Sequence, residues 1–311
     1  MTPVDWMLDG LLACALPLLA WRTLASGNSS EAVVLFIAFG SLSALTWARL
    51  GAADIALVEA AVGAGLTGAL LMTTFQWTRP SPPRPRSALG WRALRWLLAA
   101  VLAAALASAL WMLPGPSRGL SDEALAALPR SGVEHPVTAI LLNYRAYDTL
   151  LEMTVLLVAT LGVQSQRRRS GAPRPAPIPG PMLPALVRLV VPGVVLVAGY
   201  LLWRGSHAAG GAFQAGTILG GGAILLILSD TVQPPAFSRL WVRAVLLIGP
   251  VCFLAVGVAP LFAGKQLLEY PQGWAKALIV GVESALTLSI GLMLTSFVPS
   301  SAHDRETGTS A

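Results

Sequence analysis

The chain has 311 residues, is 55% hydrophobic and only 12% charged, and has a mean hydropathy of +0.68. Soluble domains carry about 25% charged residues, so these figures exclude a water-soluble enzyme and point to an all-α, polytopic integral membrane protein. The net charge of +6 does not indicate nucleic acid, because the arginines cluster in short loops beside apolar segments, which is the pattern of a topology signal.

The N-terminal "MTPVDWMLDG" lacks the basic region of a cleavable signal peptide and carries Asp5 and Asp9 instead, so the first apolar stretch is expected to be a retained helix. Spanning the hydrocarbon takes about 20 apolar residues. The pattern predicts nine such helices: 5–25, 31–50, 54–77, 92–113, 136–164, 183–204, 208–230, 240–262 and 274–298. The most basic loops are "RPSPPRPRSALGWR" (79–92) and "QRRRSGAPRPAP" (166–177), and both are expected to be cytoplasmic. An even number of spans separates them, so the two assignments agree. It follows that the N-terminus faces outward, that loop 233–243 faces inward, and that the polar tail 300–311 lies inside and is disordered. The outer loop 114–135 has mixed charge and room for a short surface helix. The two Pro/Arg-rich loops divide the helices into groups of three, two and four. The expected units are 1–78, 79–165 and 183–299, with 166–182 as a linker.

Charged residues inside the spans carry the functional signal, since each costs roughly 2.5–3.5 kcal/mol at the centre of a bilayer helix. In "LLNYRAYDTLLEMTVLLVATLG" (141–162), Arg145, Asp148 and Glu152 are three and four residues apart and so share one helix face. At about 1.5 Å per residue, Asp148 is expected roughly 18 Å into the fifth helix and Glu152 roughly 24 Å. Arg145 can neutralise Asp148, which leaves Glu152 without an obvious partner in its own helix. The trio either belongs to an ion path or only joins this helix to a neighbour. In the third helix, Asp54 is either an ordinary N-cap or a path residue, and Glu59 lies one to two turns deeper. Ala60, Ala64 and Gly68 form a small-residue face there. In the ninth helix Glu283 falls near the midplane, too far from Lys276 for a direct ion pair. Glu59, Glu283, Asp148 and Glu152 then form a series of carboxylates at increasing depth, as a cation or proton relay requires.

"RGSHAAGGAFQAGTILGGGA" (204–223) opens the seventh helix with glycines and His207. Phosphate-loop and dinucleotide spacings are absent. His207 is either a boundary hydrogen-bonder or a titrating group, and with Gly210 and Gly211 it forms a possible polar site. Cys14 and Cys252 are solitary and stand in apolar runs, so each is expected to be a packed small residue. No Cys/His cluster or Ser/His/Asp set is evident, and no cofactor or resident metal is expected. A transient Na+ at Glu59, Asp148 and Glu152 is the one metal contact anticipated.

Three stretches carry a family resemblance. "AVVLFIAFGSLSALTWARLGAADIALVEAAVGAGLTGALL" (32–71) resembles the segment near the C-terminus of the large A subunit of Mrp-type multisubunit Na+/H+ antiporters, a module that also forms the D subunit of membrane-bound hydrogenases. "HPVTAILLNYRAYDTLLEMTVLLVATLG" (135–162) resembles the E-like module that follows it. "GYLLWRGSHAAGGAFQAG" (199–216) is similar to the glycine-rich signature of the antiporter B subunit. Ala53 and Val58 stand where the first pattern usually has Pro and Thr. Ala209-Gly210-Gly211-Ala212-Phe213 replaces Pro-Gly-Gly-Gly-Phe in the third.

The resemblance implies a multi-pass subunit of the cell's inner (plasma) membrane, surrounded by lipid and assembled with other membrane subunits, with Na+ and H+ as the transported ions. It maps Asp54, Glu59, Arg145, Asp148 and Glu152 onto polar residues associated with ion movement. It also implies that the chain does not transport alone, because the large proton-translocating subunits are separate. A membrane module of a respiratory complex such as a hydrogenase is the alternative, and a structural scaffold is a third. The topology is open to a direct test. Cysteines placed in 79–92 or 166–177 are expected to react with a membrane-impermeant thiol reagent only from the cytoplasmic side, and those in 114–135 only from the outside. Cytoplasmic labelling of 114–135 would overturn the assignment.

Overall fold

Thr2 starts the first helix, α1 (Pro3–Ala25), with a reciprocal capping box to Asp5, and Asn28 caps α2 (Ser29–Arg49). The two helices run antiparallel, and Arg49 at the end of α2 reaches back to the start of α1. Its guanidinium spans Asp5 and Asp9, each at 2.9 Å. These acids are four apart, so a single planar fork holds both. The structure, a computed structural model, describes residues 2–75, 89–113, 119–170, 181–271 and 273–298. Most of the basic loop 79–92, residues 171–177 of the second basic loop and the tail 300–311 lie outside the described residues.

The third expected span is one helix in three registers: α3 (Ala53–Val58), a π-helical stretch Glu59–Leu66, and α4 (Thr67–Phe75). The wider turn begins at Glu59 and changes which residues face α2. Ala64 and Gly68 pack there, against Gly40 and Ile37, whereas Ala60 is exposed. The expected Ala60/Ala64/Gly68 stripe is thus broken, because spacing by four keeps residues in line only in a regular α-helix. A side chain at Gly40 would meet the backbone of Gly63 and Ala64 at 3.0 Å.

α5 (Leu89–Trp111) stands apart; none of its spanning window Ala93–Trp111 is buried in this chain. The segment expected to lie outside carries a short helix, α6 (Ser121–Ala127), as anticipated. The fifth expected span is broken. α7 (Pro136–Ala139) runs into a π-helical stretch Ile140–Tyr144, and Arg145, at φ −127° and ψ 34°, ends it before α8 (Ala146–Ser170) begins. The Thr149 hydroxyl donates to the carbonyl of Leu141, eight residues back, a reach that a straight helix does not permit. Asp148 therefore lies in the first turn of α8, and the depth of roughly 18 Å expected from one continuous helix does not apply.

The remaining four helices are α9 (Met182–Arg204), α10 (Ala212–Leu228), α11 (Leu240–Val258) and α12 (Ala275–Thr295). α10 is shorter than the expected 208–230, because 205–211 is a glycine loop. Eight helices are long and apolar enough to cross a membrane, and α10, with 17 residues, is the ninth apolar helix among the described residues. The core lies where α8, α10, α11 and α12 meet, around Met153, Ile224, Phe253, Leu286 and Ile290. Pro250 interrupts α11, and Ser289 of α12 repairs the ladder beside it. Its hydroxyl accepts from the Gly249 N–H at 2.8 Å and donates to the Val245 carbonyl at 2.7 Å, which is how interior prolines are tolerated in apolar surroundings.

Gly40→Val would drive a branched side chain into backbone that cannot rotate away, so it should destabilise the fold by about 1–3 kcal/mol. Gly10→Val, with nothing within 4 Å of the added carbon, should leave stability unchanged. Thermal unfolding of both variants in detergent measures the difference.

Candidate ion site

Asp54 sits at the second position of α3, but it caps nothing; the N-cap is Ala52, and no side chain bonds the helix start. The N-cap reading of Asp54 is therefore replaced. Its carboxylate reaches two distant segments instead. Oδ2 accepts from Nε2 of His135 at 2.8 Å; Oδ1 accepts from the Gly210 N–H at 3.0 Å and from Nε2 of Gln214 at 3.4 Å. A carboxylate only accepts, so Nε2 of His135 carries the proton in this contact. Both side chains are largely shielded, 16% and 17% exposed.

The chain around these partners is shaped to present them. His135 is the N-cap of α7, followed by Pro136 at the first helical position. The N–H groups of Glu134 and His135 both donate to the Ser206 carbonyl, and Thr138 donates to that of Gly205, so the segment before α7 is stitched to the loop before α10. In that loop Gly210 and Gly211 have φ of 153° and 119°, conformations open to glycine. A side chain on Gly210 would meet the Leu201 carbonyl at 2.5 Å, and one on Gly211 would meet Oε1 of Glu283 at 2.8 Å. The two glycines thus serve geometry and access together: the backbone N–H turns to Asp54, and the carboxylate of α12 approaches the start of α10.

Beside this junction is a cavity of ≈ 460 Å³, lined by Asp54, Glu152, Gln214 and Glu283 among apolar side chains such as Val58, Phe213 and Ile290. Glu283 is 3% exposed. Its carboxylate takes a hydrogen bond from the Ala212 backbone, at the first residue of α10, and its Oε2 has no partner among the described residues. The N-terminal N–H groups of a helix carry partial positive charge, so α10 compensates one side of Glu283 and leaves the other side open. Glu152 enters from α8, six residues beyond its start. Three carboxylates from α3, α8 and α12 therefore share one chamber.

The other sequence-predicted residues lie outside its lining. Glu59 folds over its own helix, with Oε1 against Gly63. Arg145 and Asp148 pair at 2.6 Å, as the spacing suggests, but are 70% and 48% exposed, so the pair faces outward from this chain. The anticipated Na+ set of Glu59, Asp148 and Glu152 is not assembled; among the described residues no three His, Cys, Asp or Glu side chains are placed to hold a metal together. His207 points elsewhere, with Nδ1 2.8 Å from the Ser206 hydroxyl and Nε2 3.3 Å from Nζ of Lys276. Sequence reasoning missed His135 and Gln214. The His-Pro step at a helix start was the one local hint for His135; Gln214, one turn into a glycine-opened helix, gave none.

Comparison with known proteins finds relatives for two parts of the chain. Residues 14–80 match the family described as the D subunit of MBH, and residues 182–298 match that described as "Domain related to MnhB subunit of Na+/H+ antiporter". A curated relative, a probable K(+)/H(+) antiporter A/B subunit of Rhizobium meliloti (strain 1021), is 24% identical over 307 residues, covering 84% of this chain and 30% of its own length. A chain in the structure of the Mrp complex from Dietzia sp. DQ12-45-1b superposes with a TM-score of 0.78 at 25% identity, over 99% of this chain and 36% of that one. The chain thus spans about a third of the length of these relatives. A chain of the membrane-bound sulfane sulfur reductase, an archaeal respiratory membrane complex, shares the fold at a TM-score of 0.56 and 21% identity, over 68% of this chain and 97% of its own.

Asp54→Ala strips three donors of their shielded acceptor. Hydrogen bonds to charged groups contribute about 1.5–3 kcal/mol each, so this variant should lose thermal stability in detergent. Asp148→Asn, which opens an exposed pair, should lose much less. Equal losses would contradict the assignment of the anchor to Asp54.

Proposed function

We propose that this chain, which belongs to the A/B-like subunits of Mrp-type antiporters, serves as a plasma-membrane subunit of a multisubunit monovalent cation/proton antiporter and lends its carboxylates to the ion path. One observation carries the reading: Asp54, Glu152 and Glu283, from three helices, line a single chamber with Gln214. Carboxylate and amide oxygens are the ligands a hard monovalent cation takes in place of water. The same carboxylates also take protons, and one carboxylate oxygen cannot hold both at once. Competition between the two ions for shared carboxylates is the elementary condition for exchange. Na+ is the cation we assign first, following the MnhB-related half; the curated relative is described as acting on K+.

Asp54 is held by His135, Gly210 and Gln214, so it orders the chamber wall. Glu152 and Glu283 have the freer carboxylates and carry the exchangeable charge. The proposed units begin with a module at 1–78 that is like hydrogenase D and the C-terminal part of the antiporter's large A subunit. An E-like module at 79–165, a linker at 166–182, a B-like domain at 183–299 and a tail at 300–311 follow, with the N-terminus outside and the C-terminus inside. Contact with other membrane subunits is supported by α5, whose span buries nothing within this chain. The outward Arg145–Asp148 pair supports it too, since a charged pair facing lipid is expensive.

Glu152→Gln and Glu283→Gln keep side-chain shape and remove the titrating group. Each should leave assembly with the other subunits intact while ΔpH-driven cation exchange in everted vesicles falls severely. Na+ and K+ run in parallel identify the cation. Normal exchange in both variants would sink the reading.

A further inference from the structure

A recess of ≈ 650 Å³ opens at the end of α10 opposite the glycine loop, between α10, α12 and the turn that leads to α11. It shares no lining residue with the acidic chamber. Its apolar walls follow α10 from Leu219 to Ile227 and α12 from Leu288 to Thr295, about 10–12 Å along each helix. Arg239 is the one charged residue in the lining, and its guanidinium has no partner among the described residues. The backbone N–H groups of Gln233 and Ala236, in the same lining, have no acceptor there either. With 17 residues, α10 covers about 25 Å of a hydrocarbon core roughly 30 Å thick, so its ends are drawn toward lipid depth. Its glycine end is met by Asp54 and Glu283, whereas the donors at this end still need an acceptor. Trp241, half exposed in the first turn of α11, stands in the lining beside them, and tryptophan is enriched at the membrane interface. The pairing of apolar wall and arginine recurs across the same turn. A recess of ≈ 520 Å³ between α8 and α11 is walled by Leu157, Leu161 and Leu247, and Arg243 is its one charged lining residue.

We propose that the recess between α10 and α12 binds an anionic glycerophospholipid. Its phosphate meets Arg239 and the free N–H groups of the turn, and one acyl chain lies along Leu219, Leu226, Leu288 and Leu292. Each half of the ligand answers a different need of the recess. The chain covers apolar surface that this polypeptide leaves open, with Leu288 about half exposed, and the headgroup supplies the acceptors that the turn lacks. An apolar helix of a neighbouring subunit would cover the walls but leave the donors unmet. A zwitterionic lipid, with no net charge, offers Arg239 less than an anionic one does. The bound lipid thereby fixes the turn between α10 and α11 against the end of α12.

The test uses the full chain in the membrane assembly with which it purifies, reconstituted in phosphatidylcholine vesicles. These are doped with either brominated phosphatidylglycerol or brominated phosphatidylcholine. Bromine on an acyl chain quenches a tryptophan it touches, and the fluorescence missing from Trp241→Phe belongs to Trp241. Brominated phosphatidylglycerol should quench that component at a mole fraction at least about fivefold lower than brominated phosphatidylcholine requires, the effect of one arginine beside an anionic headgroup. Arg239→Gln alters an exposed side chain, so assembly should be retained while the difference between the lipids disappears. Arg188→Gln removes an exposed arginine of α9 outside the lining and should preserve the difference. Equal quenching by the two lipids in the unaltered chain, or equal loss of preference in both arginine variants, would overturn the site. No quenching by either lipid, the result if another subunit fills the recess, would overturn it as well. Relief of the phosphatidylglycerol quenching by inorganic phosphate would assign the donors to a free anion and overturn the lipid.

Discussion

The carboxylate of Asp54 sets the arrangement on which the site depends. Shielded from water, it has to be met by donors, and its own helix offers none at that position. The donors come from residues 81, 156 and 160 positions away in the chain. Satisfying one anion therefore fixes the start of α3 against the starts of α7 and α10. The small-residue approach of α2 to the π-helical stretch, and the seam joining 134–138 to 205–206, hold the same junction from either side.

Irregular backbone gathers around the acids. The π-helical stretch of the third span begins at Glu59, and a second ends just before Arg145. The glycine loop delivers Gly210 and Gly211 to Asp54 and Glu283. In apolar surroundings each freed N–H or carbonyl has to find a substitute partner, and here it does: Thr149 takes the Leu141 carbonyl, Asp54 takes the Gly210 N–H, and Ser289 takes the rung beside Pro250. The departures from ideal helix thus supply part of the hydrogen bonding from which the chamber is made. Around them, three helices present acids to one chamber.

Hydropathy made the nine apolar segments legible, because burial in lipid demands long apolar runs whatever the tertiary packing. The Arg145–Asp148 pair was equally legible, being a neighbour relation within one stretch of chain. The break at Arg145 was not: its residues read as a continuous helix, and only packing shows that Leu141 and Thr149 come together. Periodicity also misplaced Ala60, since a π-turn leaves no mark in the pattern of small and apolar residues. Glu283 stood out as an isolated acid in an apolar run, and its burial agrees. The reading of Asp54 as a cap failed for a physical reason. Local sequence rewards a carboxylate at a helix start, whereas its true donors are contributed by chain more than eighty residues distant.

The junction also imposes a rule of parity on the architecture. Asp54 and Gly210 touch near the beginnings of α3 and α10, so both helices leave the same membrane face. The polypeptide between them must therefore return to that face, which permits only an even number of crossings before α9 rises to it. The α5 and α7–α8 pair satisfies this with two. A single inserted or deleted span would invert everything after it and part Asp54 from Gly210 by the thickness of the bilayer. Growth or trimming of such a chain between its two halves can proceed only by whole helical hairpins.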